Sequence, residues 1–297
     1  MLLRPSARSK MHKNLKELND KSYLEATGEI PYNMTNDYMF RAVLQKSEKV
    51  LRGLVAALLH LNPDEIQVEI TNPIQLGSTI ANKDFLLDVD VVVNHYTRLN
   101  LEMQVVNEQN WPERSLSYLC RSFSEALSKG DEYIEVPPAI HISFLDFPLF
   151  AEYPEFYATY LLQNIRNRHV YSDKFRLSVV ELNQIPLATE EDRMYGIDYW
   201  AALFKARTWE EMKAMAVGNE YLQEAAHTIY EVNSDRVIRE QCIRRREYDN
   251  QMNYYRTTIA KAIAEIAQKD TEIAQRDTEI AQRDAEIAAL KEQLRKQ

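Results

Sequence analysis

Cysteine and glycine are both scarce in this chain. Its two cysteines, Cys120 and Cys242, are far apart in 297 residues, fitting neither a disulfide framework nor a zinc cluster, which points to a reducing, cytoplasmic setting. Six glycines in all leave no Gly-rich phosphate loop, so NTPase, kinase and Rossmann readings lose their main support. No run approaches the roughly 18 apolar residues of a membrane span. Residues 1–31 carry Arg4, Arg8, Lys10, Lys13 and Lys16 without the apolar stretch of a secretory signal, and read as a flexible basic arm. The six histidines are scattered, none at the i, i+4 spacing of a zinc-protease helix, and each reads as structural or solvent-facing. A formal net charge of −9 repels nucleic acid unless basic residues gather locally or divalent cations intervene.

What is present supports a folded core, since 45% of the residues are hydrophobic. Apolar residues recur near a 3.6 period from Tyr38 to Leu61, behind Asn36 and Asp37, and this predicts a first helix. Three β-branched segments follow at about 65–71, 84–94 and 98–106, separated by turn residues. Pro112 opens a second helix that runs to about Lys129, where Gly130 supplies a stop. Residues 139–147 (AIHISFLDF) then read as a buried strand. The order α, β, β, β, α, β is an α/β core. Beyond Pro148 the pattern predicts a strand at 174–183 and helices at 190–206, 208–216 and 219–248.

From Ile259 a heptad repeat spaces Ile266, Ile273, Ile280, Ile287 and Leu294 seven apart. The companion positions Lys269, Arg276, Arg283 and Leu290 make the seam half apolar, so the expectation is a weak coiled coil and a homodimer, with a lone charged helix as the alternative. The expected domains are therefore the arm at 1–31, a main domain at 32–250 with its core at 32–150, and a heptad helix at 256–297.

Chemistry concentrates on the second and third strands. Odd positions Phe85, Leu87, Val89, Val91 and Val93 alternate with Asp88 and Asp90. Leu99, Leu101, Met103 and Val105 likewise alternate with Arg98, Asn100, Glu102 and Gln104. A turn centred on His95 sets Asp88 opposite Glu102, and one centred on Tyr96 sets Asp90 there; opposed carboxylates repel unless a cation lies between them. Mg²⁺, or Mn²⁺ in its place, typically takes one or two carboxylates plus substrate phosphate, and such an ion suits phosphodiester hydrolysis. The bland alternative is the solvated face of an amphipathic hairpin. On the following helix Arg114, Tyr118 and Arg121 form one stripe that suits a phosphate backbone, or an ordinary surface. The basic stretch Arg236, Arg239, Arg244, Arg245 and Arg246 is a second candidate contact to DNA.

The path Thr35, Asn36, Asp37 and Phe40, then Leu87, Asp88 and Val89, then Leu101, Glu102, Met103 and Gln104, then Arg114 and Tyr118, then Gly130 and Tyr133 resembles the PD-(D/E)XK nuclease family transposases, also called recombination-promoting nucleases. The resemblance covers roughly residues 32–150. It implies a restriction-endonuclease-like αβββαβ core with added C-terminal helices and a coiled-coil tail, and Mg²⁺-dependent DNA endonuclease activity. It also implies that Asp88 and Glu102 bind the metal and that Gln104 stands where the broader superfamily has a catalytic Lys. A Gln can orient by hydrogen bonds but adds no charge, which leaves a weak or inactive nuclease-fold protein, binding DNA or serving in assembly, as the alternative. Lys83 is a candidate source of the missing charge, Glu48 a candidate extra acid, and Asp37 a helix cap or a further site acid.

Overall fold

The computed structural model describes residues 23–74, 88–127, 130 and 132–295. The expected arm as far as residue 22, Lys83, residues 84–87 of the expected second strand and the expected helix end at Lys129 lie outside the described residues. The chain divides into two compact units, Met1–Arg246 and Glu247–Gln297.

In the first unit the expected opening helix is two helices, α1 (Asp37–Lys46) and α2 (Glu48–Leu59). Ser47 divides them: its backbone is extended and its hydroxyl accepts from Val50 N, so it caps α2. Strands β1 (Val68–Ile70), β2 (Val89–Val93) and β3 (Thr97–Gln104) follow, then α3 (Trp111–Ser124) and β4 (Ala139–Leu145). The αβββαβ order stands. A strand that the pattern did not predict, β5 (Tyr157–Leu161), precedes β6 (Phe175–Glu181). β5 lies at the sheet edge with its last three residues exposed, so it lacks the apolar alternation that marks a buried strand.

The sheet order is β1-β2-β3-β4-β6-β5, with β3, β4 and β6 parallel in the middle and the outer pairings antiparallel. Four helices follow β6: α4 (Glu190–Met194), α5 (Ile197–Lys205), α6 (Trp209–Ala216) and α7 (Glu220–Ser234). The expected helix over 190–206 is broken by Gly196, whose φ of 72° is left-handed and suits glycine.

Helices cover both faces of the sheet. On one face Phe40 of α1, Phe144 of β4 and Phe204 of α5 meet with ring centroids 5.2–5.8 Å apart, joined by Leu99, Leu101 and Met103. On the other, Trp111 and Leu119 of α3 pack on Ala139, Leu145, Leu177 and Val179. The even positions of β3 belong to the α3 face. That face buries Asn100, Glu102 and Gln104 of β3 together with His141 and Ser143 of β4.

Asp235 ends α7 and caps α8 (Arg236–Arg295), its carboxylate accepting from Val237 N and Ile238 N. The expected helix over 219–248 is thus split, and its second half continues into the heptads. In the second unit the heptad residues Ile266, Ile273, Ile280 and Ile287 are 47–58% exposed. Among the described residues no helix is long and apolar enough to cross a membrane.

Candidate active site

The turn between β2 and β3 sets the site's register. Asn94 and His95 both have positive φ, 50° and 58°, a conformation that Asn and His tolerate better than most side chains. The pairs are then Val93 with Thr97, Val91 with Leu99 and Asp90 with Asn100, so the turn centres on His95. The register ends at Val89 with Leu101, and continued by one residue it sets Asp88 opposite Glu102.

Both acids are buried, Asp88 at 8% exposure and Glu102 at 5%. Arg114 Nη2 of α3 donates to Glu102 Oε1 at 2.7 Å, while Oε2 is buried with no hydrogen-bond partner. Burial pushes the Glu102 carboxyl up to about 7, against the pull of Arg114, and the negative charge of Asp88 adds to the rise. Asp88 is also raised, first by burial and then by Asp90, with Asn100 and Arg41 opposing. A small cavity of about 20 Å³ lies here, lined by Asp37, Asp88, Glu102, Gln104, Arg114 and Tyr118 together with Met103 and Arg245. It is large enough for one water-sized species.

Asp88 is held from two sides. Arg41 of α1, fully buried, donates through Nη1 to the Asp88 carbonyl and through Nη2 to that of Asn72. Asn72 in turn accepts from Asp90 N at 2.9 Å. On the sheet, Asn100 Nδ2 donates to Asp88 Oδ2 at 2.5 Å and to Asp90 Oδ1 at 2.7 Å. Both amide hydrogens are used, so Oδ1 faces the other way, to His141 Nδ1 at 2.6 Å. Only a protonated Nδ1 completes that bond. Complete burial lowers the His141 pKa to about 3, so the imidazole is neutral, and its Nε2 has no hydrogen-bond partner.

Asp37, Asp88, Glu102, Gln104, Arg114 and Tyr118 thus come together, and Glu48 does not join them: it is exposed in the first turn of α2. The cap of α1 is Asn36, whose side chain accepts from Met39 N at 3.1 Å. Asp37 is the residue after it and pairs with Arg245 at 2.5 Å, which corrects the expectation that Asp37 caps the helix. Gln104 Nε2 donates to Val106 O at 2.8 Å. The expected α3 stripe is divided: Arg114 turns to Glu102 and to Glu108, while Arg121 pairs with Glu125 at 2.8 Å. The basic stretch is divided too, with Arg236 on Glu240 and Arg246 over the Tyr32 ring at 4.3 Å.

Sequence reasoning missed Arg41, Asn72, His141 and the inward turn of Arg245. The one available signal for His141 was a lone polar ring in the middle of AIHISFL, a strand otherwise apolar enough to be buried throughout.

Among the described residues no three His, Cys, Asp or Glu side chains converge as a ready-made metal cluster. The donor set is instead a carboxylate pair with one buried oxygen lacking a partner, and it fits a hard divalent cation that completes its shell with water and substrate phosphate. A comparison of the chain with curated proteins and with solved structures gives no match. The family model for PD-(D/E)XK nuclease family transposases matches residues 34–258, a span that contains every residue of this cavity. With well over half of its length matched, and with a mixed sheet and flanking helices consistent with a restriction-endonuclease-like fold, the chain belongs to the PD-(D/E)XK nuclease family transposases.

Proposed function

We propose that the chain is a Mg²⁺-dependent DNA endonuclease of the recombination-associated type, with Asp88 and Glu102 as the metal-holding acids. Family membership supports a nuclease. The observation that carries the finer reading is the Glu102 carboxylate, buried with Oε2 unpartnered beside a cavity it shares with Asp88. A structural carboxylate in that setting is costly, because a buried acceptor left without a partner forfeits about 1–3 kcal/mol. A cation removes the cost.

Bound between the two acids, Mg²⁺ would neutralise charge on the scissile phosphate and make a water more acidic. The protein's own groups do the rest. Arg41, Asn72 and Asn100 hold Asp88 by backbone and side chain. Arg114 sits between Glu102 and solvent, where it meets the phosphate as the strand approaches. Gln104 stands where the superfamily has Lys; its amide is tethered to Val106 and orients a neighbour by hydrogen bonding without adding charge. The exposed isoleucine row of the tail supports a homodimer through α8.

The test is cleavage of plasmid DNA by the full chain with Mg²⁺ or Mn²⁺. Asp88→Asn and Glu102→Gln are expected to lose about a hundredfold or more, at least as much as loss of a supporting residue costs a metal site. Wild type and both variants behaving alike would end the catalytic reading and leave a DNA-binding or assembly role.

A further inference from the structure

The core of β4 carries a fully buried imidazole whose Nε2 meets no partner. An apolar residue would fill that place without stranding a polar atom. The other ring nitrogen has a partner, and that partner leads to the acids. His141 is directly across from Asn100 in the β3–β4 register, and Asn100 bridges Asp88 and Asp90. Rings flank the imidazole: Tyr118 is inclined at 29° with centroids 6.0 Å apart, and Trp111 at 36° with centroids 6.1 Å apart.

We propose that His141 and Asn100 are positioning residues of the Asp88–Glu102 site. The inference rests on the metal-site reading above and adds two members to it. An Asn amide is symmetric in shape but not in chemistry, and turned the other way it would aim its oxygen at two carboxylates. His141 Nδ1–H opposes this by supplying the one donor that Asn100 Oδ1 meets among the described residues. Asn100 then spends one hydrogen on each acid, which relieves their mutual repulsion and fixes Asp88 by Oδ2. It also ties Asp90 down, so that Asp88 and not Asp90 serves with Glu102. Supporting groups of this kind orient a ligand without touching the ion.

Mn²⁺ binding to the full-length protein, read by calorimetry in the absence of DNA, tests this beside cleavage. His141→Leu is expected to bind Mn²⁺ about tenfold or more weakly while melting as a folded protein. His141→Asn, which returns an N–H near the place of Nδ1, should recover most of the loss. A folded His141→Leu that binds Mn²⁺ as wild type does overturns the proposal, as does an Asn variant no better than the Leu variant. Wild type that neither binds Mn²⁺ nor cuts DNA would instead bring down the metal site itself, and this inference with it. Should His141→Leu fail to fold, nitrogen-detected NMR of the wild-type imidazole decides: a proton on Nδ1 is expected, and the opposite tautomer refutes the arrangement.

Discussion

Arg114 Nη2 lies 2.7 Å from Glu102 Oε1, a cation of α3 clamped on the innermost acid of β3. The pair is unequal, because the Glu102 side chain is 6% exposed and that of Arg114 is 30%. The arginine is the partner nearer to solvent. On the proposed reading, a cation entering the cavity would compete with Arg114 for that carboxylate, and a phosphate arriving with it would offer Arg114 a replacement partner.

Removing that arginine exposes the competition. Arg114→Ala leaves Glu102 without its counter-charge, and a lost hydrogen bond to a charged group costs about 1.5–3 kcal/mol. The variant should melt earlier than wild type in chelator and gain more melting temperature from Mn²⁺ than wild type does. Equal gains in the two proteins would mean that Arg114 and the ion do not share Glu102.

The neutral His141 makes the fold acid-sensitive. Its pKa is about 3 in the folded chain against an ordinary 6.5, so between those values the unfolded state binds a proton that the folded state refuses. Its contribution is complete above pH 6.5 and falls by about 1.4 kcal/mol for each unit of acidification toward 3. The facing charges do not reverse this: Arg114 also disfavours the imidazolium, and Asp88 and Asp90 reach it only through Asn100. Thermal melts from pH 7 to 4 should show wild type losing stability faster than His141→Asn. Parallel curves would contradict the neutral assignment.

Much of this architecture was legible in the residues because alternation is a local signal. Leu99, Leu101 and Met103 alternate with Asn100, Glu102 and Gln104 at a period that only a strand satisfies, and the structure keeps that division of faces. The two possible turn centres could not be separated beforehand; the left-handed backbone at Asn94 and His95 decides it. What stayed hidden was long-range. Arg245 is 208 positions from Asp37 and read as one of five basic residues on a helix, yet it turns inward to that acid. Ser47 and Asp235 cut helices that periodicity ran together, since a capping side chain interrupts the backbone without interrupting the apolar pattern.

Gly53 of α2 faces Tyr221 of α7. A Cβ there would lie 2.6 Å from Tyr221 Cβ and 2.7 Å from its Cγ, atoms too near the backbone to swing away. Gly53→Ala gains about 1 kcal/mol of helix propensity, but overpacking costs typically 1–3 kcal/mol. The variant is expected to melt below wild type. A rise in melting temperature would show that the two helices separate freely.

The tail carries its own prediction. Row residues such as Ile266, Ile273 and Ile280 are more than half exposed, and a long amphipathic helix gains stability by burying that row against another. Sedimentation of the full chain should give a dimer, and a chain ending near Tyr255 should give a monomer. Equal masses per chain in the two preparations would refute association through the heptads.

The proposed function requires that Asp88 and Glu102 share one divalent cation. Crystals soaked in Mn²⁺ and measured at the manganese absorption edge test it most directly. An anomalous peak is expected between the two carboxylates, with Glu102 Oε2 among the ligands of the ion, and that peak is expected to vanish in Glu102→Gln. A clean map there, with Arg114 still on Glu102 at saturating Mn²⁺, would contradict it.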